Sequence, residues 1–312
     1  MSEQSPSVVV VGSVAVDWVI TPTAERETSV GGSATFFSMS ASYFGPVQLV
    51  GVVGKDFPEQ AITDLREAHV DTEGLEIVPD GLTFRWKGRY HDNMNQRDTL
   101  DTQLNCFEQF DPKLPQSYQK SDYLFLANIV PALQLRVLDQ MPTRPRLVGL
   151  DTMNLWIENT REDLVRVLGR VDVLTINEEE ARQLTDEPNL VKAAAKIHQM
   201  GPKSLVIKRG EYGALLFHDG DIFSAPALPL EEVIDPTGAG DSFAGGFMGY
   251  LARAGDATGE SLRSAMIYGS VMASFCVEGF SYDRLKGLDH AQIDARFEAF
   301  SRLTRFEGAR LR

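Results

Sequence analysis

The chain has 312 residues, 43% of them hydrophobic and 24% charged, which suits one large α/β domain with a substantial core and an insertion. Its 44 acidic and 30 basic residues leave a formal net charge of −14. That balance argues against nucleic acid or an anionic membrane as the main partner, because both call for a basic surface; a nucleotide is still admissible, since a few local donors and a metal hold a polyphosphate.

In chain order, Met1 to Ser7 is polar and lacks the basic stretch and apolar core of a secretion signal. Val8-Val-Val-Val11, closed by Gly12, predicts a buried parallel strand that is apolar on both faces. Similar short strands are predicted at Val47 to Val53, Tyr123 to Ala127, Leu147 to Leu150, Val173 to Ile176, Ser204 to Ile207 and Ala214 to Phe217. Between them, Glu59 to Ala68, Gln134 to Gln140, Arg161 to Leu168 and Leu190 to Met200 show the three- and four-residue apolar spacing of amphipathic helices. Such alternation implies a mostly parallel sheet with helices on both faces. The C-terminal third is mostly helical, and its stripes (Phe243, Phe247, Tyr250, Leu251 and Ala254, then Leu262, Met266, Gly269, Ala273 and Cys276) read as core. The two cysteines, Cys106 and Cys276, are far apart and form no ligand pattern, which suits a reducing compartment. No apolar run nears the roughly 20 residues of a spanning helix, so the chain reads as soluble and cytoplasmic.

One segment breaks the alternation. In Thr83-Phe-Arg-Trp-Lys-Gly-Arg-Tyr90, Phe84, Trp86 and Tyr90 share one parity and Arg85, Lys87 and Arg89 the other. A period of two means a strand with an aromatic and a basic face. His91 to Asp98 is turn-like, and Thr99 to Phe107 is predicted to return as a second strand. Either this is an edge hairpin packed on the core, or a small β-sheet lid over a substrate pocket; the interruption of a regular α/β order favours the lid.

The strongest chemical signal is Asp235-Pro-Thr-Gly-Ala-Gly-Asp241-Ser-Phe243. Pro236, Gly238, Ala239 and Gly240 delay the helix and let backbone approach a ligand. An amphipathic pattern then starts at Asp241, so unpaired N–H groups and the positive end of the helix dipole meet there, a phosphate-type anion site. Asp at a helix start is ordinarily a cap. Here Gly-Ala-Gly leaves room for a phosphate beside the carboxylate, which suits a base accepting a hydroxyl proton. A Walker A loop is absent, and Gly12-Ser-Val-Ala-Val-Asp17 stands where a dinucleotide fingerprint would follow the first strand.

This stretch resembles the second signature of the PfkB/ribokinase family of carbohydrate and nucleoside kinases, and the resemblance runs in order along nearly the whole chain. Gly12 with Asp17, then Gly31-Gly32, Gly51 and Gly54-Lys-Asp56 resemble the family's substrate segment and first signature. Asn177-Glu-Glu-Glu180 is similar to its Asn-x-x-Glu motif, although alone it is an ordinary acidic helix start, and Lys208-Arg-Gly210-Glu-Tyr-Gly213 is similar to its nucleotide-side turn. The resemblance implies a ribokinase-like three-layer α/β/α domain over 1–312 with lid strands from about 14–30 and 82–108. It implies an ATP-dependent kinase with Asp241 as base and Gly238, Ala239 and Gly240 as anion hole. Asn177, Lys208, Gly210, Gly213 and Thr237 would bind ATP. Glu180 would act on Mg2+ through water, and Asp235 and Thr237 would ligate a monovalent cation such as K+, with the stretch around Ser274, Val277 and Gly279 closing that site. A homodimer through the lid is also implied.

On the substrate side the resemblance assigns Asp17, Gly31, Gly32, Phe36, Asn154 and Asp241. Phe36 replaces the Asn that usually ends G-G-x-x-x-N, exchanging a polar contact for an apolar one. Asp151-Thr-Met-Asn154-Leu-Trp156 resembles a sugar-kinase segment without the Arg that often follows in sugar-acid kinases. The acceptor expected is a hydroxyl of a small carbohydrate-type substrate; with Phe84, Trp86 and Tyr90 an aromatic pocket would accept a nucleobase as readily as a sugar, so the alternative is a nucleoside (adenosine-like) kinase. From another class, the fold could serve a non-catalytic ligand sensor; the intact Asp241, glycines and Asn177/Glu180 speak against it.

Overall fold

Val8 to Val11 are buried. In the computed structural model, which describes residues 6–305, Val8 and Val10 enter one hydrophobic core and Val9 and Val11 the other. A strand buried on both faces must be apolar throughout, and this one is. The first half of the chain forms β1 (Val8–Val11), β2 (Ala15–Ile20), β3 (Glu25–Gly31), α1 (Ser33–Ala41), β4 (Val47–Gly54), α2 (Glu59–Glu67), β5 (Val70–Val78), β6 (Phe84–Tyr90) and β7 (Arg97–Gln103). Then come β8 (Tyr123–Leu126), α3 (Pro131–Asp139), β9 (Leu147–Asp151), α4 (Asn154–Asn159), α5 (Arg161–Leu168), β10 (Val173–Asn177), α6 (Glu178–Thr185) and α7 (Leu190–Met200). The last part is β11 (Ser204–Lys208), β12 (Ala214–His218), β13 (Asp221–Ala225), α8 (Ala239–Ala254), α9 (Gly259–Cys276) and α10 (His290–Thr304).

The main sheet has nine strands in the order β13-β12-β11-β10-β9-β8-β1-β4-β5. It is parallel from β5 to β11, and β12 and β13 add an antiparallel edge. Side chains from α1, α2, α8, α9 and α10 fill one core and those from α3 to α7 the other, giving the three α/β/α layers. Chain order reverses around β1, whose neighbours are β4 and β8. In open α/β sheets ligands bind outside the strand C-termini at such a reversal, and Gly12, Asn128, Asp151, Asn177 and Lys208 all stand at that edge.

A second, four-stranded sheet in the order β3-β2-β6-β7 is drawn from two separated segments. β2 and β6 are parallel, flanked by antiparallel β3 and β7. The return strand is Arg97–Gln103, shorter than the predicted Thr99 to Phe107, because Asn105–Gln109 turns into a 3-10 helix. There Phe107 stacks between Phe84 and Phe110. Three other elements carry no periodic signal. All nine residues of α1 are buried, so its sequence shows no polar face, while β5 and β13 are edge strands with largely polar, exposed sequences.

Candidate active site

The glycine turn is shaped by the residue beneath it. Gly238 adopts φ 77° and caps α8, a left-handed conformation that glycine takes without strain. A Cβ at this position would lie 2.3 Å from the Phe36 ring. Phe36 is 2% exposed, so it forms the floor of the turn and presents no face to a substrate, which corrects the contact expected from the sequence. α8 starts at Ala239 rather than Asp241. Gly240 and Asp241 therefore lie in its first turn, where backbone N–H groups have no intrahelical acceptor.

Acidic groups converge on this turn. Burial, and then the charge of Asp151, raises the Asp241 pKa to about 7, against the lowering effect of Lys208 and Arg97. Burial together with Asp235 and Asp241 raises Asp17 to about 8. The same two causes, burial and Asp151, lift Glu180 to about 7. Lys208 Nζ lies 2.7 Å from Asp151 Oδ2; burial would lower its pKa, but Asp151 and Glu180 outweigh this and hold it above its usual value. A Cβ on Gly240 would come within 3.1 Å of that ammonium, which places one cation directly beside the turn. A carboxyl with a pKa near neutrality can take up and release a proton under physiological conditions.

Asn177 and Glu180 build a reciprocal capping box on α6. Asn177 Oδ1 accepts from Glu180 N at 2.7 Å, and Glu180 Oε2 accepts from Asn177 N at 2.9 Å. The helix-start reading of these residues is thus realised. It also leaves Glu180 Oε1 outside the box, in a site with surplus negative charge. Next to them a cavity of about 840 Å3 is lined by Lys208, Gly210, Gly213, Ala239 and Gly240, within the size range of small-molecule sites. The hairpin turn between β6 and β7 reaches it through Asp92 to Asn95, and Asn95 Nδ2 donates to Glu211 Oε1 at 3.4 Å.

The lid brings its own residues. Asp17 and Trp86 are register partners on β2 and β6 and so share the face that looks onto the turn. Asp17 fits because Gly31 has no side chain: a Cβ there would be 1.9 Å from Asp17 Oδ2. The Trp86 ring folds back over Gly88, where a Cβ would lie 2.0 Å from it, and its Nε1 donates to Thr99 Oγ1 at 3.2 Å. Tyr90 is buried, and its hydroxyl accepts from Thr237 Oγ1 at 3.1 Å, tying the lid to the anion turn. Of the three aromatics, Phe84 is committed to its stack and Tyr90 to Thr237, leaving Trp86 on the lid face it shares with Asp17. At the lid's root Asp56 accepts from Thr83 N, Thr83 Oγ1 and Arg85 Nη2 at 2.7, 2.8 and 2.8 Å.

Asn154 is exposed, and its Oδ1 accepts from the N–H of Leu155 in its own helix. The polar group at the end of β8 is instead Asn128, whose Oδ1 accepts from Trp156 Nε1 at 2.8 Å. Asp235 Oδ1 accepts from Thr237 N, while Oδ2 is buried with no hydrogen-bond partner. The Val277 carbonyl closes the same corner by accepting from Ile234 N and Asp235 N at 2.8 and 3.3 Å. An orphaned, buried carboxylate oxygen is the kind of group that a cation satisfies. Among the described residues, no group of three His, Cys, Asp or Glu side chains is placed to hold a metal by itself. Sequence reasoning missed Asp151 as the partner of Lys208, and it missed Arg97; the position of Asp151 at a strand's C-terminal end was the available signal.

A half-buried acid at a glycine-built helix start, at the switch point of a parallel sheet and under a β lid, suits phosphoryl transfer. The pfkB family carbohydrate kinase profile matches residues 5–283. A cytidine kinase of Thermococcus kodakarensis is 34% identical over 78% of this chain and 88% of its own length. A nucleoside kinase of Methanothermobacter thermautotrophicus is 28% identical over 86% and 88%. Among solved structures, Arabidopsis thaliana ribokinase complexed with ribose and ATP aligns over 95% of this chain and 99% of its own, with 20% identity and a TM-score of 0.76. The chain belongs to the pfkB family of carbohydrate kinases. It is a kinase of the sugar and nucleoside class, transferring a phosphoryl group to a hydroxyl.

Proposed function

We propose that this kinase transfers the γ-phosphoryl group of ATP to a hydroxyl of a nucleoside, with Asp241 as the base. The observation that carries the acceptor class is Trp86, whose ring lies along Gly88 on the site-facing side of the lid, in register with Asp17. A flat aromatic platform beside a carboxyl suits a base stacked on the ring and a ribose hydroxyl held by the acid. The two relatives that match most of this chain, a cytidine kinase and a nucleoside kinase, support this class.

In this reading ATP occupies the cavity between Gly210, Gly213 and Ala239, with its γ-phosphoryl group toward Gly240. Asp241 accepts the acceptor's proton as the hydroxyl attacks. The first-turn N–H groups of α8 and the Lys208 ammonium receive the charge that develops on the phosphoryl oxygens. Asp151 keeps Lys208 charged and in place. Glu180 fits a magnesium ion held through water, and such an ion, when bound, offsets phosphate charge. Asp235 Oδ2, which has no hydrogen-bond partner, fits a monovalent cation behind the turn.

The test is ADP formation by the purified chain with ATP and magnesium across nucleosides, sugars and sugar acids. A nucleoside is expected to give the highest kcat/KM, and Trp86→Ala to raise its KM by about 10-fold, the ~1–3 kcal/mol of one stacked base. A sugar as best acceptor, unaffected by Trp86→Ala, would overturn the nucleoside assignment. Tight binding of a ligand without ATP consumption would make the protein a kinase-fold sensor.

A further inference from the structure

Apart from the metal ions, the mechanism above uses one side-chain cation, Lys208, among the carboxyl groups of Asp17, Asp151, Glu180 and Asp241. A phosphoryl group carrying several negative charges is poorly matched to that balance. The lid supplies a second cation that neither the sequence reading nor the mechanism absorbed. Arg97 is the first residue of β7 and the register partner of Tyr90. Partners in a sheet share a face, so Arg97 stands on the same side as Tyr90, whose hydroxyl holds Thr237 of the anion turn. Its guanidinium lies over the Trp86 ring, 5.9 Å from the centroid.

Two other basic residues of the lid are already committed. Arg85 is paired with Asp56 at 2.8 Å, and the Lys87 ammonium sits on the Trp18 ring at 3.1 Å on the outward face. Arg97 is exposed and enters no ion pair among the described residues. The turn just before it, Asp92 to Asn95, lines the donor cavity, while Trp86 and Asp17 mark the acceptor face. Arg97 therefore stands on the lid between the turn that lines the donor cavity and the Trp86 ring. Its charge already acts there, lowering the pKa of both Asp241 and Glu180.

We propose that Arg97 is a catalytic residue that grips the phosphoryl group during transfer, opposite Lys208. This rests on the kinase reading above. The planar, permanently charged guanidinium matches two phosphoryl oxygens at once, which an ammonium does not. As the bond from phosphorus to the ADP oxygen breaks and the bond to the acceptor oxygen forms, the acceptor's proton goes to Asp241; Arg97 undergoes no covalent change and only stabilises charge. Until substrates bind, the Trp86 ring parks the guanidinium by a cation–π contact.

Steady-state kinetics of Arg97→Met and Arg97→Lys against the parent enzyme test this, using the best acceptor of the panel. Arg97→Met is expected to lower kcat by about 1,000-fold, at the modest end of what a transition-state arginine contributes. ADP affinity without acceptor should stay within about 3-fold, since the interaction is made mainly in the transition state. Arg97→Lys should recover only part of the rate, and millimolar guanidinium should restore part of the activity of Arg97→Ala. The acid limb of the pH–rate profile should move to higher pH in Arg97→Met, because Asp241 loses a cation that lowers its pKa. A kcat within about 3-fold of the parent would overturn the proposal. So would a rise in acceptor KM alone, without guanidinium rescue, because that pattern means Arg97 merely positions Trp86. If the parent itself consumed no ATP with any acceptor, the kinase reading would fall and this proposal with it, an outcome visible before any variant is made.

Discussion

Asp151 Oδ2 lies 2.7 Å from Lys208 Nζ, and the two side chains are only 6% and 18% exposed. The pair joins the ends of β9 and β11, two strands apart in the main sheet, and it holds a positive charge beside Gly240. Removing one partner strands the other charge. Lys208→Met is therefore expected to destabilise the fold by about 3 kcal/mol, as for other broken buried pairs. Adding Asp151→Leu to that variant should recover part of the loss, although activity stays low. Urea unfolding of the single and double variants measures the difference.

Asp241→Asn removes the proton acceptor without changing side-chain shape. A positioned general base contributes about 100- to 10,000-fold, so kcat should fall by at least about 100-fold while ADP binding is largely spared. In the parent enzyme, activity needs the ionised carboxylate. With a folded-state pKa of about 7, the rate should climb as pH rises through that value and level off above it. A profile flat between pH 5 and 8 would contradict the assignment.

Gly238→Ala tests the floor of the anion hole. It places a side chain at φ 77° and into the Phe36 ring. Left-handed strain together with this overlap should lower stability by about 2 kcal/mol and reduce turnover further by displacing the N–H groups of the first turn. Thermal unfolding and kcat are the readouts.

The buried acids set a pH dependence of stability in the ligand-free protein. Folding raises Asp17 from 3.8 to about 8, Asp241 from 3.8 to about 7 and Glu180 from 4.5 to about 7. Across that window the folded state holds protons that the unfolded chain has released, so stability falls as pH rises from about 4 to about 8. Tm is expected to decline from pH 5 to 8, and Asp17→Asn should flatten the upper part of the decline. A Tm that rises across this range would exclude the shifts.

The glycine turn and the acid beside it were legible because they are local: Gly-Ala-Gly before Asp241 reads as a helix-start turn within a few residues. The parallel sheet was equally plain from strands such as Val8–Val11, which are apolar on both faces. The companions of the turn were harder to find, being distant in sequence. Asp151 and Lys208 meet only because β9 and β11 flank β10, and Arg97 enters only through the register of β7 with β6. Phe36 misled for a related reason. An aromatic residue in a substrate-binding position looks like a stacking surface until the fold places Gly238 on top of it. α1, buried on all sides, has no periodicity to read.

The lid's strand order has a mechanical consequence. β2 and β3 leave the body next to β1, whereas β6 and β7 leave it after β5, yet β2 and β6 are zipped together in parallel. Two independent tethers thus carry one rigid plate. Any swing of that plate would carry Asp17, Trp86, Tyr90 and Arg97 together, because all four sit on its strands.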